Sequence, residues 1–227
     1  MNVYLIPLGA GRLEPYFEHE DEEEAAPAGT QPPGLFARMS VRFSEMIRDA
    51  ERQRHERTQE RPSTFLGRVQ HKLMGWVAER VAEQRLLWRL RRVDEATLHV
   101  PDTMEREAGF QAFRELLQKD HDRHMRLTIL HLLGLVASAP FMVVPGPNLF
   151  GYFFTFTVVG HFLAFRGARR GLSCVRWTVS PSAWLTTLKD AMAASGAERY
   201  RIVHEVGEHL QLPRLARFVE RMAAPPA

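Results

Sequence analysis

Residues 127–165 read LTILHLLGLVASAPFMVVPGPNLFGYFFTFTVVGHFLAF and contain no Asp, Glu, Lys or Arg, in a chain whose charged residues make up 25% of the total. The run Pro145-Gly146-Pro147-Asn148 divides the stretch into halves of about 18 residues, each roughly 27 Å long as a helix and close to the hydrocarbon thickness of a bilayer. The flanking charges are positive on both sides: Lys119, Arg123 and Arg126 before it, Arg166, Arg169 and Arg170 after it. The central turn has none. By the positive-inside bias both outer ends would face the cytoplasm. The stretch therefore predicts one transmembrane helical hairpin, or a re-entrant one, since Pro140 would kink the first arm. A hairpin wholly buried in soluble protein is the competing reading. Small residues in the first arm (Gly134, Ala137, Ser138, Ala139) would pack against aromatic ones in the second (Phe150, Tyr152, Phe153, Phe154, Phe156, Phe162).

Outside the hairpin the chain reads as polar protein. Asn2–Leu8 is β-branched and aromatic, a short strand ended by Gly9-Ala10-Gly11. Residues 18–34 open with a carboxylate run, Glu18 to Glu24, and continue with three prolines. They predict a solvated, disordered loop. Leu35 to Glu60 predicts a charged helix with one apolar stripe through Leu35, Phe36, Met39, Phe43, Met46 and Ile47. Phe65 to Arg92 predicts a second helix. On it Arg85, Trp88, Arg89 and Arg92 share one side, a combination suited to anionic headgroups, or to an ordinary amphipathic helix packed on its neighbour.

Glu95–Val100 reads as a strand. A helix from Thr103 should run through Lys119–Arg126 and into the first arm. After the hairpin, Leu172–Ser180 reads as a third strand, and Ser180-Pro181 as a helix start. Three short helices follow, Ser182–Ala194, Glu198–Leu210 and Pro213–Met222. The fold class expected is mainly α with a small β element (α+β): a cytoplasmic helical domain plus one membrane hairpin. In this reading the segments are 1–17, 18–34, 35–126, 127–165 and 166–227.

Bulk properties exclude several functions. The net charge of +3 argues against a general nucleic-acid binder. One cysteine, Cys174, permits no internal disulfide and fits a reducing compartment. The N-terminal apolar run is too short for a secretory signal, and the acidic residues after it do not suit a transit peptide. These features point to the bacterial cytoplasmic membrane. No enzyme motif survives inspection. His204-Glu205-Val206-Gly207-Glu208-His209 has the wrong histidine spacing for a zinc-protease helix, and Gly9-Ala10-Gly11 lacks the rest of a nucleotide loop. No cofactor is expected.

Two histidines interrupt the apolar stretch. Counted from Gly146, His131 and His161 are equally distant, so they would lie at one depth. Histidine titrates near neutral pH, so the pair could relay or sense protons. Interfacial histidines held by backbone or headgroups are the alternative. His121 and His124 add two more at helical spacing, which leaves a metal site open.

Several of these residues carry a family resemblance. The opening Met1-Asn2-Val3-Tyr4-Leu5-Ile6-Pro7-Leu8 resembles that of the mitochondrial K⁺/H⁺ exchange-related proteins, a family with bacterial members. The central block is also similar: Val100-Pro101, the charged helix with His124, Pro140, Val144-Pro145-Gly146-Pro147-Asn148, Tyr152-Phe153, His161 and Ala164-Phe165-Arg166-Gly167-Ala168. The resemblance covers the first residues and roughly Thr97 to Leu172. It implies a membrane protein linked to potassium–proton exchange, with no catalytic residues to carry over. Two apolar arms without a carboxylate cannot enclose an ion path, so an accessory or regulatory role is expected, with the lipid bilayer and a second copy or another membrane protein as partners. A membrane-anchored interaction scaffold without transport is the alternative.

Overall fold

The computed structural model describes residues 1–18, 86–138, 149–194 and 196–223. The acidic loop beyond Glu18, the helix expected at 35–60, most of that at 65–92 (Arg85 included) and the turn Pro145, Gly146, Pro147, Asn148 lie outside the described residues.

At the centre is a four-stranded sheet. Strand β1 (Asn2–Pro7) turns back into β2 (Leu13–Tyr16), and β3 (Glu95–Pro101) and β4 (Arg176–Ser182) complete it in the order β2-β1-β3-β4. The β1–β2 pair is antiparallel, with Tyr4 opposite Tyr16 and Pro7 opposite Leu13. The other pairs are parallel: Val3 faces Leu98, and Leu98 faces Val179. The β1–β2 reversal places Gly9, Ala10 and Gly11 at φ of 84°, 50° and 74°. Glycine takes that left-handed backbone without a Cβ clash, so two of the three reversal residues are glycines.

Strand β1 is buried on both faces from Val3 to Pro7. A parallel pairing that needs a long crossover usually gives such strands, with helices covering both faces. On one side Tyr4 and Ile6 join a core with Leu185, Leu188, Val206 and Leu215. These come from α3 (Ala183–Ala191), α4 (Gly196–His209) and α5 (Leu215–Ala223). On the other side lies the first half of α1 (Arg106–Ala137). A methyl group on Gly109 would stand 2.8 Å from Val100 Cγ1, so glycine is what lets α1 approach β3. Phe113, fully buried, meets Trp177 of β4 edge-on with ring centroids 4.7 Å apart. Trp177 Nε1 in turn donates to the carbonyl of Gly171 in α2 (Leu149–Ser173) at 2.8 Å.

The chain divides into two compact units. The first holds the sheet, α1 to Arg123, α2 from Phe165, and the three C-terminal helices. The described part of the second holds 86–88 and the remaining portions of α1 and α2.

Three sequence expectations are corrected here. The fold is mixed α/β around a four-stranded sheet, not mainly α with a minor β element. Among the described residues no helix is long and apolar enough to cross a membrane, which overturns the transmembrane or re-entrant hairpin. The uncharged stretch is not an independent pair of arms. The first arm continues the helix expected from Thr103, here from Arg106, whereas α2 departs from expectation by continuing past Arg166, Arg169 and Arg170 to Ser173. The uncharged part of α1, Leu127–Ala137, is only about 16 Å of helix, half of a bilayer core. Third, Ser180-Pro181 does not start a helix. Both residues lie in β4, which begins at Arg176, and Ser182 precedes α3. β4 is an edge strand, where proline's missing N–H leaves no ladder bond broken.

Glu18 also departs from its expected solvated state. Its side chain is 7% exposed. It accepts from the Arg214 backbone N–H at 3.0 and 3.2 Å and from the Tyr16 hydroxyl at 2.8 Å. A carboxylate in front of α5 meets the positive end of that helix. Burial, with Glu18 beside it, raises the Tyr16 pKa, so the phenol stays a donor. Glu18→Ala is expected to cost about 1–2 kcal/mol, the range for losing a cap. Urea unfolding checks this; an unchanged midpoint would show that the cap carries no stability.

Candidate functional site

The spacing of the α1 histidines sets up the site. His124 and His131 are seven residues apart, two helical turns, so they share one face. From α2, His161 reaches that face. Its Nδ1 lies 2.9 Å from His124 Nδ1. The His161 ring centroid is 5.1 Å from that of His124 and 5.1 Å from that of His131, with interplanar angles of 35° in each case. His124 is buried, and the other two are half-buried. Close helix approach makes this reach possible: a methyl on Gly134 would stand 2.5 Å from Phe154 Cε1.

The hydrogen bonds constrain the protons. His131 Nδ1 lies 2.7 Å from the Leu127 carbonyl, which can only accept, so that nitrogen carries the proton. Between His124 and His161 one Nδ1 donates and the other accepts. A further proton on the acceptor Nδ1 breaks the bond. The bond therefore couples the protonation of the two rings.

The remaining expected residues fall elsewhere. His121 packs on Phe165 and lies 2.9 Å from the Asp122 carboxylate. Lys119, Arg123 and Arg126 are exposed on α1, and Arg166 and Arg169 on α2. Arg170 pairs with Asp94, a structural contact within the sheet unit. Trp88 Nε1 donates to the Gly160 carbonyl at 3.3 Å, which packs that tryptophan on α2. Arg89 is half-buried and Arg92 exposed. His204 and Glu208, from the protease-like string, line a cavity of about 420 Å³ beside α4. Among the described residues no three His, Cys, Asp or Glu side chains are grouped as metal ligands would be. His124 is the functional candidate that counting outward from the turn does not find. Its signal was the seven-residue interval to His131.

Residues 2–173 match the family described as mitochondrial K⁺-H⁺ exchange-related. The chain belongs to that family. The family region takes in β1 to β3, α1, α2 and all three clustered histidines; β4 and the C-terminal helices follow it. No curated protein and no solved structure matches the chain. The name of this K⁺/H⁺ exchange-related family agrees with the resemblance carried by the opening octapeptide and the central block.

Proposed function

We propose that the protein is an accessory or regulatory component of potassium–proton exchange, in which His124, His131 and His161 respond to proton concentration. Family membership supports the link to exchange. The observation that carries the proton-responsive role is the 2.9 Å Nδ1–Nδ1 contact between His124 and His161. Such a pair accepts protons near neutral pH and changes its bonding when the acceptor nitrogen takes one. It supplies no carboxylate for a potassium ion, since residues 127–165 contain none. The ion path then belongs to a partner membrane protein, and this chain sets when that path works.

The test compares K⁺-dependent proton flux, read with a pH-sensitive dye, in vesicles from cells with and without the protein. Expression is expected to make the flux depend on pH around neutrality. His161→Asn and His124→Asn keep a polar side chain, cannot be protonated in this range, and are expected to flatten that dependence. Normal pH dependence in both variants would remove the histidines from the mechanism. Flux indifferent to the protein itself would remove the exchange role. An interaction scaffold without transport is the second reading, favoured by the exposed apolar face of α1 described next.

A further inference from the structure

The end of α1 has two apolar faces. One packs on α2 and carries His124, His131 and Gly134. The other holds six large apolar side chains, Met125, Ile129, Leu130, Leu132, Leu133 and Val136, each between 39% and 66% exposed. Six large apolar side chains on one stretch of helix thus lie open to solvent. A contiguous exposed apolar face of this kind often serves as a contact site.

The spacing identifies the occupant. Met125, Ile129, Leu132 and Val136 are separated by four, three and four residues, the seam of a two-helix coiled coil. From this we infer that the face binds a second copy of the same chain, with the two α1 helices antiparallel. The two-fold axis then falls between Leu130 and His131. Ile129 meets the partner's Leu132, and Met125 meets the partner's Val136, so the seam is complementary to itself, as an isologous contact requires. Charge fixes the direction. The last turn of α1 contains no basic residue to balance its negative dipole end. The antiparallel arrangement brings Arg126 of each copy over that turn of the other. A parallel pair would instead leave Arg126 of each copy about 13 Å along the axis from that turn.

This inference does not depend on the exchange role. It is tested on the full chain by sedimentation equilibrium and by cross-linking. Wild-type protein is expected to be a dimer at micromolar concentration. Ile129→Glu should weaken it by about 100-fold or more, as for a central contact in an interface. Adding Leu132→Lys to Ile129→Glu should restore the dimer, because each new carboxylate then faces a new ammonium group across the axis. Cross-linking is independent of how these variants fold. In a Cys174→Ser background, a mixture of Ile129→Cys and Leu132→Cys chains should form a disulfide faster than either alone. A monomeric wild type overturns the inference; if that monomer also floats with anionic phospholipid vesicles, the face belongs to a lipid surface. Preferential cross-linking of like positions overturns the antiparallel arrangement.

Discussion

Phe113→Ala is expected to lower stability by about 3–5 kcal/mol, the range for removing a buried aromatic ring. Phe113 is fully buried and bridges two layers, standing on α1 and meeting the edge of Trp177 in β4. Trp177 is itself tied to α2 through the Gly171 carbonyl. Loss of the ring opens a cavity where α1, β4 and the end of α2 converge, and none of the three can collapse into it without giving up a hydrogen bond or a sheet register. A melting temperature lower by about 10 °C follows for a chain of this size. Phe113→Leu, which keeps most of the volume, should cost less than half as much. Thermal melts followed by circular dichroism decide it. A loss below about 1 kcal/mol for the alanine variant would be at odds with a packed core at this position.

Asp120→Asn is expected to act in the opposite direction and only above mildly acidic pH. Burial is the main cause that raises the Asp120 pKa, which stands at about 6 once the downward pull of Arg123 and Lys119 and the upward push of Glu14 are included. A carboxyl with a raised pKa in the folded state binds its proton there more tightly than in the unfolded chain. Stability therefore falls as pH climbs from about 4 to about 6 and levels off above. Asparagine keeps the shape and removes the charge. Above pH 7 the variant should be more stable than wild type by about 1–2 kcal/mol, and near pH 4 the two should coincide. Parallel stability curves across pH 4–8 would show that Asp120 does not titrate in this way.

The parts of the fold legible in the sequence were those whose residues agree at every scale. β1 is β-branched and aromatic and is buried on both faces, so its composition alone marks a strand. β3 was equally plain. β2, with the sequence Leu-Glu-Pro-Tyr, has no strand composition; it exists because the turn at residues 9–11 folds it back onto β1. Pro181 read as a helix start because proline favours both a first helical turn and an edge strand, and only the position of β4 at the sheet's edge decides between them. The misreading of 127–165 has a similar cause. Absence of charge marks an apolar environment but does not say whether lipid or protein supplies it. The arginines at 166, 169 and 170 suggested an end to the second helix, whereas α2 carries them through as side chains on one continuous element. The histidine cluster was half visible. Symmetry about the turn brings His131 and His161 to one level, but the helix register that gives His161 its hydrogen bond to His124 depends on how closely Gly134 lets the helices approach.

The register of β1 against β3 has a consequence for synthesis. Asn2 pairs with Thr97, so β1 lies in the middle of the finished sheet, and its parallel neighbour is encoded some ninety residues later. At translation rates of about 5–20 residues per second, β1 leaves the ribosome several seconds before β3 exists. In that interval, of the described strands, only β2 is beside it, and such a two-stranded hairpin is marginal alone in water. The apolar side chains at positions 3–6 are then exposed on both faces, together with one unpaired backbone edge. The nascent chain thus passes through a period in which β1 is exposed and sticky, and a chaperone that shields extended apolar segments would find a target in Asn2–Pro7.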